Sequence, residues 1–482
     1  MPLHSAPPPS LQVLLPAVPS IKDDALQTLQ KEISQILRDP KLQGTSLGVL
    51  VVDTQGKHIF SHQAEQTLIP ASNTKIFTMM SALKHLGPHY HYETTLHSDN
   101  PIDAKGVLKG NLYIKGSGDP SLRSEELWRL AQDLVGLGLR RVTGRIVFDD
   151  SFFDRQYFGD GWKDHSHHRY RPYVAGVGAL SLNYNTLTIH LRPNAKVGGK
   201  PTITIDPSSY YIKKIVHQVK TTAPRGKTNI KIKILAKGNR DEVHLSGEIA
   251  QDAPAFSLWR RVSDPGWYTA FTFTELLYRT KIRVNRWPTR GTVPQKAGLL
   301  LKHNSPPLSV LLQIVGKQSS NFTAEQILKT LAAVQKETPG TWAKGLSIVA
   351  EDLRSIGILP NTYSMKNGSG LGRSNRFSPK QIAAVLLQQL QDLDRWAEYF
   401  VAQPIAARDG TLRMRMKKTP AEGRLRAKTG TIDGVSSLSG YVFTQDRRLW
   451  IVSILMNGKV KHNKLFRKAQ DKICALLAQF QG

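Results

Sequence analysis

Only one cysteine, Cys474, occurs in 482 residues. No intramolecular disulfide can form, and a cysteine-rich zinc site is excluded. No apolar run approaches the roughly 18 residues of a membrane-spanning helix. Acidic residues are scarce: 37 Asp and Glu stand against 66 Lys and Arg, for a net charge of +29. So basic a chain is expected to meet an anionic partner: nucleic acid, a membrane surface or cell-wall polymer. The first twenty residues hold six prolines and no Lys or Arg, and their apolar stretch, Leu11 to Val18, is broken by Pro16. They read as an extended leader, not as an intact secretion signal. Either the protein stays inside, or this chain begins after its signal.

What is present is an ordinary core-forming composition. Hydrophobic residues make up 40 % and aromatic residues 8 %, and mean hydropathy is −0.32, which excludes wholesale disorder. At roughly 150 residues per domain the length allows two to four domains. Leu26, Leu29, Ile33, Ile36 and Leu37 predict an amphipathic helix, stopped by Pro40. Leu47 to Val52, a turn at Asp53 to Gly56, and His58 to Phe60 predict a β-hairpin. Ser72 to Leu83 is apolar nearly all round, as a buried helix is. From about 90 to 290, short β-type runs alternate with Gly, Pro and Asn. Within them, 191–252 carries 12 Lys and Arg against 5 acids. Helical patterns return after 295, at Pro306 to Val315 and Thr323 to Val334. Three strand-like runs follow (Leu425 to Thr431, Ser437 to Phe443, Leu449 to Met456), then a last helix whose apolar face includes Ile473 and Cys474. The outer parts predict one α/β domain, with the middle inserted into it.

Three short motifs carry chemistry. Ser72-Asn73-Thr74-Lys75 opens the buried helix, and positions i and i+3 share a helical face. The Lys75 amine then lies beside the Ser72 hydroxyl, where a lysine of lowered pKa can take the serine's proton. N–H groups at the helix start can help hold an oxyanion. Ser319-Ser320-Asn321 precedes the helix from Thr323. Lys428-Thr429-Gly430 lies in a strand, where a glycine marks close approach of another backbone. A substrate adding itself as a strand would satisfy that, with the Thr431 N–H as a second oxyanion donor. In this order the motifs match the Ser-x-x-Lys, Ser-x-Asn, Lys-Thr-Gly set of penicillin-binding proteins and serine β-lactamases.

The surroundings sharpen the match. Leu68 to Thr78, Ser305 to Leu308, Ser319 to Glu325, Asn367-Gly368-Ser369-Gly370-Leu371-Gly372-Arg373, Asp409 to Arg413 and Ala427 to Thr431 resemble the D-alanyl-D-alanine carboxypeptidase/endopeptidase family S13, as do Gly118-Asp119-Pro120 and Ala179 to Asn183. The resemblance runs from about 25 to 480. It implies an α/β, β-lactamase/transpeptidase-like domain, an antiparallel sheet flanked by helices, with a large, mostly β two-domain insertion between the first and second motifs. The expected division is a leader (1–20), a first part (21–90), an inserted region (91–290) and a second part (291–482). The inserted region divides into 91–186 with 256–290, and a small basic β module, 187–255. The resemblance also implies Ser72 as acylated nucleophile and Lys75 as its base. Ser319 and Lys428 would relay the proton to the leaving D-alanine, Asn321 would hold the substrate amide, and Thr429 would bind the terminal carboxylate, with Gly430 and Thr431 beside it among the substrate-binding residues. Arg373 and Asp149 are candidates for the third-position side chain of the stem peptide. Ser320 and Asn367 stand where the family usually or often has Asp. Neither change removes a proton-transfer group, so activity is expected to persist.

Other signals are weaker. Gly44-Thr45-Ser46-Leu47-Gly48 fits a hydrolase elbow, but a strand follows it where a helix is needed. Asp164-His165-Ser166-His167-His168 reads as a solvated loop and not a metal site. No metal and no cofactor are expected. The rival enzyme is a serine β-lactamase, whose deacylating Glu-x-x-x-Asn fails at Glu351, four residues before Ser355. A non-catalytic binder of anionic cell-wall polymer is the rival of another class. Nucleic-acid binding would call for a recognised module or aromatics interleaved with Lys and Arg, and neither occurs. The expected partners are peptidoglycan pentapeptide or cross-linked stem peptides, with β-lactams as covalent inhibitors. The last 82 residues hold 16 Lys and Arg against 5 acids, which fits wall affinity. A periplasmic or otherwise exported location is expected, with peripheral contact to membrane or wall and the oligomeric state left open.

Overall fold

A computed structural model describes residues 21–162 and 171–482. The Pro-rich leader and the Asp164 to His168 loop lie outside the described residues.

The chain opens with α1 (Asp23–Leu37), whose buried Leu29, Ile33 and Leu37 repeat every fourth residue. The hairpin β1 (Ser46–Val52) and β2 (His58–His62) follows. A 3₁₀ turn, Ala71–Thr74, leads into α2 (Lys75–Leu86), buried from Lys75 to Leu83. Next come β3 (Glu93–Ser98), β4 (Val107–Leu108), β5 (Leu112–Gly116), α3 (Ser124–Gly136) and β6 (Arg141–Asp149). They are followed by β7 (Thr186–Arg192), β8 (Thr202–Asp206), β9 (Ile212–Thr222), β10 (Asn229–Lys237), β11 (Arg240–Ala250) and β12 (Phe256–Arg261). After α4 (Pro265–Arg279), β13 (Arg283–Arg290) and β14 (Gly298–Asn304), the helices α5 (Leu308–Lys317), α6 (Asn321–Gln335), α7 (Trp342–Ser355), α8 (Pro379–Gln391) and α9 (Trp396–Val401) return. The chain closes with β15 (Leu425–Ile432), β16 (Val435–Phe443), β17 (Leu449–Asn457) and α10 (Asn463–Gln479).

Five strands form one antiparallel sheet in the order β15-β16-β17-β1-β2. Strand alternation sends its side chains into two cores. Leu50 and Val52 join Phe77, Leu312, Leu328 and Leu386 on one face. Val49 and Val51 join Ile33, Ile454 and Ile473 on the other. Helices therefore cover both faces, which is the β-lactamase/transpeptidase-like arrangement expected.

The inserted region is β-rich, though α3 and α4 supply much of its core. Its largest sheet runs β13-β6-β5-β3-β14 with β4 beside β6, and it mixes parallel and antiparallel pairs. Two three-stranded sheets follow, β12-β7-β8 and β10-β11-β9. β12, just past 255, pairs with β7, and β14, past 290, pairs with β3. A further difference matters more for the site. Phe153, Trp162, Val174, Val177 and Ala179 pack into the main core beside α2 and α6, not into the core of the insertion.

Candidate active site

Ser72 sits in the 3₁₀ turn before α2, and its segment is fastened to the sheet on both sides. The Ile69 amide and carbonyl meet the Asn457 side chain at 2.8 and 3.2 Å. Ser437 Oγ donates to the Pro70 carbonyl at 2.6 Å. Ala71 holds a positive φ of 46°, a strained position for a residue with a Cβ. Gly370 lies against it, so close that an added Cβ would stand 1.8 Å from the Ala71 carbonyl oxygen.

Lys75 is fully buried. Its Nζ lies 3.0 Å from Ser72 Oγ, 2.7 Å from Asn321 Oδ1 and 2.6 Å from the Ser369 carbonyl. Burial pushes its pKa down to about 7, against the opposing pull of the Glu325 carboxylate. A neutral amine has two N–H groups and one lone pair. Asn321 and Ser369 take the two N–H groups, which leaves the lone pair to face the Ser72 hydroxyl.

Ser320 caps α6 by accepting from the Thr323 amide at 3.1 Å. This fixes Asn321 at the first helical position, and its Nδ2 donates to the Tyr173 carbonyl at 3.2 Å. Ser319, just before the cap, has a positive φ of 58°. Lys428 Nζ donates to Ser319 Oγ and to the Thr429 carbonyl, both at 2.8 Å. Burial first, and then repulsion from Lys75, hold Lys428 well below the ordinary lysine range.

β15 is an edge strand, bridged beside Arg426 by Ile405. At Gly430 an added Cβ would come within 2.1 Å of Ser437 Oγ, 2.6 Å of the Pro70 carbonyl oxygen and 2.9 Å of the Ser72 nitrogen. Glycine is thus what brings the strand against the nucleophile's own N–H. Thr429 Oγ1 donates to Thr411 Oγ1 at 2.7 Å, and Thr431 is exposed. Ser72, Ser319, Thr411, Arg413, Thr429 and Thr431 line a cleft of about 660 Å³. A larger groove, about 960 Å³, runs between α1 and α10 but contains none of the three motifs.

The two outlying candidates fare differently. Arg373 is exposed and donates to the Asp433 carbonyl at the β15–β16 turn. Asp149 is buried, and its carboxylate oxygens accept from Ser151 N and Oγ at 3.0 and 2.6 Å and from Val293 N at 2.9 Å, which shapes a turn after β6. Asn367 fits its loop as an amide, accepting from Gly370 N at 2.8 Å while donating to the Leu371 and Asp160 carbonyls. Ser46 begins a strand, so the hydrolase elbow is absent there. Glu351 is exposed and paired with Lys336 at 2.9 Å. Cys474 is a buried core residue whose thiol is pushed up to about 12.

Sequence reasoning passed over Glu325. It lies four residues after Asn321, on the same face of α6, and that spacing was the available signal. Fully buried, it accepts from the Trp342 indole at 2.8 Å and from the amides of Gly368 and Ser369 at 3.0 and 2.7 Å. Ser369, Ser437 and Thr411 were also passed over as individuals.

A sheet between helical layers, with a serine and a lysine at the start of its buried helix facing a lysine on the edge strand, defines a serine hydrolase of the β-lactamase/transpeptidase fold. The sequence profile of the D-Ala-D-Ala carboxypeptidase 3 (S13) family matches residues 29–480, and the chain belongs to that family. It is 31 % identical over 489 residues to a D-alanyl-D-alanine carboxypeptidase of Actinomadura sp. strain R39, covering 97 % of this chain and 88 % of that protein. It is also similar to the crystal structure of penicillin binding protein 4 from Haemophilus influenzae, with a TM-score of 0.81, 26 % identity, and 91 % and 98 % of the two chains covered. A second structure of that protein, complexed with a β-lactam, matches at a TM-score of 0.77 and 24 % identity over 93 % and 99 % of the chains.

Proposed function

We propose that this protein removes terminal D-alanine from peptidoglycan stem peptides, and opens D-alanine-ended cross-links, through an acyl-enzyme on Ser72. The contact between Ser72 and a buried lysine whose two N–H groups are already engaged carries the reading. Ser72 Oγ attacks the penultimate D-alanine carbonyl as its proton passes to Lys75. The amide N–H groups of Ser72 and Thr431 hold the oxyanion. The proton then reaches the leaving amine through Ser319 and Lys428, and the amide C–N bond breaks. Water attacks the remaining ester and regenerates the serine. Asn321 holds the substrate amide, and Thr429 takes the carboxylate of the leaving residue. Arg373 is the remaining candidate for the third-position side chain.

The cleft supports the cross-link reading, because about 660 Å³ exceeds what one alanine fills. In its wall Lys317 pairs with Asp409 and Arg415 with Asp471. Arg413 and Arg467 are exposed there with no acidic side-chain partner among the described residues, which suits a longer, acidic leaving peptide. The substrate lies outside the cytoplasm, so export is part of this proposal. With Glu351 turned to solvent, a penicillin adduct should be released slowly. Mass spectrometry after penicillin treatment is expected to find one stable adduct, on Ser72. Ser72→Ala should end both the adduct and D-alanine release from pentapeptide. Release by that variant would overturn the assignment.

A further inference from the structure

The cleft beside Ser72 is lined by cations of one sign only. Lys317, Arg413, Arg415 and Arg467 face it, and among the described residues no Asp or Glu does. Two of the four are paired from outside it: Lys317 with Asp409, and Arg415 with Asp471 at 2.6 Å. That leaves Arg413 and Arg467, and the fold sets both in place. The 3₁₀ turn Gly410–Leu412 packs against the end of α5, where an added Cβ on Gly410 would stand 2.7 Å from the Lys317 carbonyl oxygen. The turn sets Thr411 2.7 Å from Thr429 and ends at Arg413. On the opposite wall, Asn463 Nδ2 donates to the Ile432 carbonyl at 2.8 Å, which lays the start of α10 beside the end of β15. Arg467 follows four residues later on the same helical face. Arg415 joins the two walls: its guanidinium donates to the Arg467 carbonyl at 3.4 Å, to Gln470 at 3.1 Å and to Asp471. Ser319, Thr429 and Thr431 line this cleft, and Asn321 and Arg373 do not. It is therefore the side of the leaving group.

We propose that Arg413 and Arg467 form a second carboxylate site, which selects cross-linked stem peptides whose leaving strand carries a free carboxylate beyond the one at its reacting end. The inference rests on the acyl-enzyme reading of Ser72 given above. A leaving D-alanine has one carboxylate, which Thr429 takes, and it brings nothing to either arginine. A leaving peptide strand reaches further along the cleft and brings more carboxylates with it. The guanidinium group suits that ligand. It is planar, stays charged at any pH the enzyme meets, and offers two parallel N–H groups to the two oxygens of a carboxylate. Two cations held on facing walls repel each other until an anion lies between them. Asp409 and Asp471 do not supply that anion, because Lys317 and Arg415 engage them. A strand whose carboxylate is amidated keeps one acceptor oxygen but loses the charge, so the site discriminates against it. Neither arginine takes part in the proton transfers, so the selection acts through binding of the leaving strand.

The test crosses substrate with variant. Cross-linked dimers, with the side carboxylates of the leaving strand either free or amidated, are compared with monomeric pentapeptide on the wild-type protein and on a double variant, Arg413→Gln with Arg467→Gln. Amidation is expected to lower wild-type kcat/KM on the dimer by about tenfold, chiefly through KM. The double variant should cut the two dimers alike, and its ratio of dimer to pentapeptide turnover should fall by a similar factor. Amidation that costs the wild type nothing, or costs the variant as much as the wild type, would overturn the proposal. Should the variant fail to fold, the wild-type protein decides through salt. A charge contact in an open cleft is screened, so the preference for the free-acid dimer should shrink from low to high salt, and a preference that salt leaves intact would overturn the assignment. A protein that takes no penicillin on Ser72 would remove the acyl-enzyme reading and this site with it. A protein that takes penicillin and releases D-alanine, yet does not distinguish the dimers, would remove only the arginine site.

Discussion

Gly430 has no side chain, and the geometry around Ser72 depends on that. A methyl group there would collide with Ser437, Pro70 and Ser72 together, and two of these contacts are backbone, which cannot swing away. Gly430→Ala is therefore expected to slow penicillin acylation by about 100-fold, the scale of a misplacement near 1 Å, as measured by adduct formation over time. Lys75 makes a second residue-scale expectation. Its folded value is about 7 and its ordinary value 10.5. Between these, the unfolded chain binds a proton that the folded chain does not, so stability rises with pH across that window. Denaturant midpoints at pH 7 and pH 9 should show the increase, and Lys75→Met should reduce it. Acylation should climb through pH 7 as the lysine loses its proton.

At the scale of elements, α6 connects the two halves of the site. Its face presents Asn321 to Lys75, Glu325 to the loop before α8, and Lys329 to Asp154 in the segment after β6. Asp154→Ala would leave Lys329 buried without its partner, at a cost of about 3 kcal/mol. Adding Lys329→Met should recover most of that loss in thermal unfolding. The first motif was legible because helix geometry is local: a Ser-x-x-Lys spacing places its own partners, whereas Ser319-Ser320-Asn321, whose partners Lys75 and Lys428 lie far along the chain, was legible only in the order of all three. Lys428-Thr429-Gly430 was legible because a glycine inside a strand pattern is anomalous without a close neighbour. The partners of Asp149 were not legible, because they include Val293, 144 residues away. Glu325 went unassigned for a related reason. Its spacing from Asn321 puts it on the same face of α6, but its partners come from α7 and the loop at 368–369, far along the chain.

The whole molecule carries +29, and the cleft wall has its own share in Arg413 and Arg467. If the charge serves wall affinity, cosedimentation with purified wall material should fall steeply between low and high salt. Release of D-alanine from a soluble pentapeptide should change much less, and Ser72→Ala should bind wall as the wild type does. The sequence did not reveal that Phe153, Trp162, Val174, Val177 and Ala179 join the main core. A hydrophobic run does not reveal which of two cores it joins. The pairing of β1 with β17, Ser46 opposite Asn457, has a consequence for how the enzyme comes into being. Ser72 and Lys75 emerge early in synthesis, yet the strands that fix their turn are the last to appear. Until Asn457 arrives, one side of the β1–β2 hairpin is an open edge that invites wrong pairing. The turn that carries Ser72 therefore lacks its fastenings to Asn457 and Ser437 for most of synthesis, and gains them only when the final hairpin closes the sheet.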